Sequence, residues 1–147
     1  MSTTPRSADL GSLVIVWLGE SVEVTDRLGD GGGIVLAASV RDPEVDTDVD
    51  PRVSVAVRHT TSERQNRHEA KTFEARAVVD ASSVYIAENG VQGLTELKDV
   101  VTDVLTRQRP SWRSGGVLDD QEVAYSDGIG RYVGVVSATI MRRDPRE

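Results

Sequence analysis

Arg52-Val53-Ser54-Val55-Ala56-Val57-Arg58 and Phe73-Glu74-Ala75-Arg76-Ala77-Val78-Val79-Asp80 decide how this chain folds. Each stretch alternates from residue to residue, the two-residue period of a strand with one dry face and one wet face. Following one another, they predict the arms of an antiparallel ribbon in which Phe73, Ala75, Ala77 and Val79 face the core and Glu74 and Arg76 do not. Between them runs His59-Thr60-Thr61-Ser62-Glu63-Arg64-Gln65-Asn66-Arg67-His68-Glu69-Ala70-Lys71-Thr72, with no Gly, no Pro and almost nothing apolar. A tight hairpin calls for Asn-Gly or Asp-Gly, so the connection reads as a long polar loop at the ribbon tip. Loops of that length without structure of their own are usually functional or disordered.

Holding such a loop still costs on the order of 1 kcal/mol per residue. A neighbouring chain offsets that cost if it supplies carboxylates, for which the planar Arg fork is better suited than Lys. His59, Glu63, Arg64, Arg67, His68 and Lys71 are therefore the candidate interface residues, and the loop is expected to order on assembly.

At 147 residues the chain fits one domain with a core that needs neither disulfide nor metal. Residues 1–8 and 142–147 read as flexible tails. The absence of Cys excludes a disulfide scaffold, a thiolate zinc site and a Cys nucleophile together. A net charge of −7 disfavours binding to nucleic acid or to anionic membrane. The 15 Arg against two Lys, the 23 Val and the excess of Asp over Glu resemble the usage of salt-loving archaea and their viruses, in which crowded carboxylates hold water in concentrated salt. A GC-rich bacterial host or its phage gives a similar bias. Leu10 to Leu18 is far shorter than the roughly 20 apolar residues that span a bilayer and has no cleavage site, so it reads as part of an amphipathic helix.

Asp9 is placed to cap a single helix running to about Leu28, closed by Gly29 to Gly33. Ile34 to Val40 reads as a short buried strand and Arg41 to Asp50 as an acidic loop ahead of Pro51. Beyond the ribbon, Ala81 to Glu88 reads as irregular, Asn89-Gly90 as a turn or cap, and Val91, Leu94, Leu97, Val101, Val104 and Leu105 as the stripe of a helix stopped by Pro110. Glu96, Lys98, Asp99 and Asp103 fall outside that stripe. Val117 to Tyr125 and Arg131 to Met141 predict a second hairpin turning at Ser126-Asp127-Gly128. Strands arriving in adjacent pairs give an α+β domain: one mainly antiparallel sheet with two helices packed on one face and a long central β-ribbon.

Motifs for chemistry are weak. Asp46-Thr47-Asp48-Val49-Asp50 has the first ligand positions of a calcium loop, but Pro51 replaces the required Gly and Val57 the bidentate Glu. Gly29 to Gly33 follows a helix and lacks the Lys of a phosphate loop. His59 and His68 have no further ligands at matched spacing. Trp17, Phe73 and Trp112 read as core anchors or interface plugs, since no basic aromatic cluster surrounds them. No catalytic, cofactor-binding or metal-binding residue is assigned, and catalysis is not expected.

The order of elements resembles that of the tail terminator, or tail completion, proteins of long-tailed viruses. The matching stretches are Asp9 to Leu28, Pro51-Arg52-Val53-Ser54-Val55, Thr72 to Val79, Val91 to Leu105 and Arg131 to Met141. The resemblance covers nearly the whole chain through order and periodicity. It implies a homo-oligomer, a hexameric ring that caps the tail tube and joins it to the neck below the head. Its partners would be the tail tube protein and a neck or head-completion protein, and DNA would pass through the lumen without specific binding. A small cellular enzyme or ligand-binding domain of a halophile is the alternative, with its site on the open sheet face.

Overall fold

The computed structural model describes residues 9–36, 49–65, 68–108, 110, 113, 114, 116–128 and 130–145. The chain runs α1 (Leu10–Glu20), α2 (Val22–Leu28), β1 (Gly33–Leu36), β2 (Arg52–Gln65), β3 (His68–Ala81), α3 (Ser83–Arg107), β4 (Arg113–Ser114), β5 (Val117–Ser126) and β6 (Arg131–Pro145). The six strands share one sheet in the order β1-β2-β3-β6, and β4 and β5 both pair with the outer edge of β6. β1 runs parallel to β2 while the other neighbours are antiparallel. The sheet is therefore mixed, and among the described residues three helices accompany it; the expected mainly antiparallel sheet with two helices is corrected on both counts. Parallel neighbours need a connection of a dozen or more residues, and residues 37–51 supply that length, most of it outside the described residues.

Ser21 accounts for the extra helix. Its backbone is extended (φ −80°, ψ 116°), which ends α1, and its hydroxyl accepts from the Val24 N–H at 3.4 Å, which caps α2. Asp9 stands before α1 without a capping bond from its side chain. At the end of α2, Gly29 takes φ 65°, a left-handed value that a side chain would strain. The glycines beyond it lie against backbone: the Gly31 carbonyl accepts from the Asp50 N–H at 2.9 Å, and the Gly33 N–H donates to the Pro51 carbonyl at 3.2 Å. A Cβ on Gly32 would lie 2.3 Å from the Leu28 carbonyl oxygen, whereas one on Gly19 would meet nothing within 4 Å. Gly32→Ala is expected to destabilise by more than about 1 kcal/mol through backbone displacement, and Gly19→Ala to stabilise by roughly 0.5–1 kcal/mol through helix propensity. Thermal melts of the two variants should move in opposite directions.

One face of the sheet carries Val53 and Val55 from β2, Phe73, Ala75, Ala77 and Val79 from β3, and Val136, Ala138 and Ile140 from β6, all buried in one cluster with Leu10, Val14 and Leu18 of α1 and Leu94, Leu97, Val101 and Leu105 of α3. Glu74 and Arg76 are not part of it. The alternation in the sequence thus assigned the faces of β3 as observed. Helix α3 begins at Ser83, eight residues ahead of the sequence expectation at Val91. The hydroxyl of Ser82 accepts from the Tyr85 N–H at 3.3 Å, so Ala81 to Glu88 is mostly helix. Gly90 interrupts it with φ 76° and ψ 168°, making α3 two helical segments joined at a kink.

Lys98 is buried, contrary to its place outside the stripe. Its ammonium reaches the Asp120 carboxylate and donates to the Gln121 carbonyl at 3.2 Å on β5. Gly134 on β6 makes room for its stem, since a Cβ there would lie 3.0 Å from the Lys98 Cδ.

The ribbon is longer than the alternation indicated. β2 continues to Gln65 and β3 starts at His68, with a register irregularity between His59 and Thr61. The expected 14-residue loop is therefore mostly paired strand, and only Asn66 and Arg67 remain between the arms, outside the described residues. β6 accompanies β3 along its full length, from Tyr132 opposite Ala81 to Pro145 opposite His68. Residues 142–145 are thus strand, where a flexible tail was expected.

Candidate interaction surfaces

The far end of β2, β3 and β6 brings the candidate interface residues together, as strand positions. Glu63 and Arg64 stand opposite Ala70 and Glu69, His68 lies between Gln65 and Pro145, and Lys71 lies between Ser62 and Arg142. Arg67 falls outside the described residues. Where this end meets the core, the exposed His59 ring lies 5.2 Å from the ring of Phe73, and the buried guanidinium of Arg142 sits 5.6 Å above the centre of Phe73. Arg113, opposite Arg142, sits in the same way 5.5 Å from the Trp17 ring and donates to the Gln108 carbonyl at 2.5 Å. Cations over aromatic faces close this end of the core.

At the opposite end of the ribbon lies a buried ionic clamp. Arg52 and Asp80 are partners in register and neither is exposed to solvent; Arg52 Nη2 donates to Asp80 Oδ2 at 2.8 Å. Arg131, at the start of β6, donates through Nε to Asp80 Oδ1 at 3.1 Å and through Nη2 to Asp50 Oδ1 at 3.2 Å. Asp50 also accepts from the N–H of Ser82 at 3.0 Å and from its hydroxyl. One network thus ties β2, β3, β6 and the first turn of α3. Asp50, the described end of the Asp46–Asp50 run, is committed to this clamp; Asp46 and Asp48 lie outside the described residues. The sequence held a signal for part of it: Arg52 and Asp80 occupy mirror positions at the ends of the two alternating stretches, on the wet face.

Clefts open in the helical layer among the described residues. One, of about 410 Å³, opens between the end of α1, the start of α2 and the last turns of α3, with Trp17 and Val104 beside Glu20, Val22, Glu23 and Asp103. Another, of about 470 Å³, is bordered by Arg27, Tyr85, Asn89 and Glu96 and is crossed by the Arg27–Glu96 ion pair at 2.6 Å. Burial raises the Tyr85 phenol above its ordinary value of 10.0, with Arg27 opposing the rise and Asp50 and Glu96 adding to it. Among the described residues no group of three or more His, Cys, Asp or Glu is placed to hold a metal ion, and no helix is long and apolar enough to cross a membrane.

No family model matches the sequence, and no curated protein is similar to it. Solved structures do match in fold. One is a chain from the virion of a native gene transfer agent particle, alike with a TM-score of 0.60 at 12% identity over 88% of this chain and 91% of that one. At that identity the likeness is one of fold, and it extends over nearly the whole of both chains.

Proposed function

We propose that this protein is a structural component of a virion, without enzymatic activity, and that within the virion it is the tail terminator. In this reading copies of the chain close into a hexameric ring that ends the tail tube and joins it to the head connector, and DNA passes through the lumen unbound. The observation that supports the virion role is the end-to-end likeness of fold to a chain of the gene transfer agent particle. The terminator role adds the order of elements already noted and an acidic chain of net charge −7, suited to a channel that must not grip DNA. His59, Glu63, Arg64, Arg67, His68 and Lys71 belong to a contact with a neighbouring subunit or the tube. We carry the salt-loving host into the same reading.

The test is the mass of the purified chain in molar and in millimolar salt, with electron microscopy of the same samples and of samples mixed with tail tubes. Closed rings that cap tube ends, and that loosen as salt is withdrawn, are expected. A monomer that stays monomeric with tubes present would sink the reading. Rings equally stable at both salt levels would retain the terminator and discard the salt-loving host.

A further inference from the structure

On the sheet face turned away from α1 and α3, β3 carries Glu74, Arg76, Val78 and Asp80. Both carboxylates are engaged: Glu74 faces Arg58 at 3.5 Å, and Asp80 serves Arg52 and Arg131. Arg76, between them, has no ion pair among the described residues, and its Nε is buried without a hydrogen-bond partner. Its register partners on the same face are Ala56 of β2 and Ser137 of β6. Ser54, one alternation step from Ala56, is 1% exposed, and its hydroxyl is a second buried group without a partner; the Thr139 hydroxyl, one step from Ser137, is a third. Buried polar atoms are almost always bonded, so three such groups around one side chain call for a cause. An Nε–H only donates and a hydroxyl can turn to donate, so the set lacks an acceptor. Water would accept, but it leaves the charge of the guanidinium without a counter-charge.

We propose that Arg76 is the centre of an anion site on this face, and that its ligand is a small monovalent anion of halide size. Ser54 stands opposite Val78 and Thr139 opposite Glu74, so the two hydroxyls lie on opposite diagonals from Arg76 and one ion bonds only one of them. The Ser54 side is the favourable one, because the Glu74 carboxylate repels an anion beside Thr139. Ala56, Val78 and Ser137 are 5%, 7% and 8% exposed, which admits a bare ion and not a carboxylate carried on another chain. The ion accepts from Arg76 Nε–H and the Ser54 hydroxyl. It neutralises a guanidinium that no described carboxylate meets, and so stabilises the pairing of β2 with β3.

Thermal melts at constant ionic strength test this, with chloride replaced stepwise by gluconate, whose bulk keeps it out of the site. An ion that binds only the folded chain stabilises it by mass action, so the wild type should melt roughly 5 °C or more higher in chloride, beyond any shift that Arg76→Met shows between the same two salts. The Met variant reports the general action of the salts, having no cation to hold an ion. Ser54→Ala should lose most of the extra shift. Crystals grown in bromide should show an anomalous peak within hydrogen-bond distance of Arg76 Nε. If Arg76→Met fails to fold, Ser54→Ala and the bromide map decide. A chloride shift in Arg76→Met or in Ser54→Ala equal to that of the wild type would overturn the site, and a bromide map empty at Arg76 would leave water as the acceptor.

Discussion

Replacing Asp80 with Ala is expected to cost about 3–5 kcal/mol of folding stability, the usual penalty for removing one partner of a buried ion pair. Asp80 and Arg52 are fully buried, and the Arg131 side chain is 8% exposed, so solvent does little to screen what is left behind. One carboxylate serves two guanidiniums on different strands, and its loss leaves both without the charge they share. The effect should appear as a lower denaturant midpoint with an unchanged slope. Asp103→Ala, which removes a surface partner of Arg107 across one helical turn, is expected to change stability by about 0.5 kcal/mol or less. Arg52→Met, Asp80→Leu and Arg131→Met together should cost less than Asp80→Ala alone, because the one charge left without its guanidinium, Asp50, is 27% exposed and keeps its bonds from Ser82. A loss below about 1 kcal/mol for Asp80→Ala would mean that the clamp does not hold the strand ends.

What was legible in the sequence was whatever a two- or three-to-four-residue period encodes. Phe73, Ala75, Ala77 and Val79 declared their face because the sheet is covered on that side by helices, and Leu94, Leu97, Val101 and Leu105 declared theirs for the same reason. The pattern fails where that cover is not what decides the structure. Thr60 to Gln65 and His68 to Thr72 carry no apolar alternation, yet they are strand, held by backbone pairing with one another and with β6. Their lack of Gly and Pro was the better guide, since turn residues were missing because there was almost no turn. The direction of β1 was not legible, because a run such as Gly33–Leu36 reads the same whether its neighbour is parallel or antiparallel. Lys98 was misplaced because periodicity assigns charge to solvent, and only the fold shows that β5 brings Asp120 within its reach. Glu63, Arg64, His68 and Lys71 were legible as a polar set near the ribbon tip, but not as paired strand positions. The cleft between α1, α2 and α3 was not legible, since Trp17, Val22 and Asp103 meet only through the packing of three helices.

Trp17→Ala is expected to cost about 3–5 kcal/mol, the range for truncating a large aromatic residue in a packed core. Trp17 is 7% exposed on α1 and belongs to the cluster that joins that helix to the sheet. Its ring also lies beneath Arg113, whose own bonds to the Gln108 and Thr139 carbonyls connect the end of α3 with β6. Truncation therefore opens a cavity and removes the aromatic face that the guanidinium covers. Trp17→Phe keeps an aromatic face and part of the volume, so it should cost distinctly less than the alanine variant, by a margin of roughly 1–3 kcal/mol. Denaturant unfolding of the isolated subunit measures both, and an alanine loss near zero would show that α1 is not part of the cooperative core.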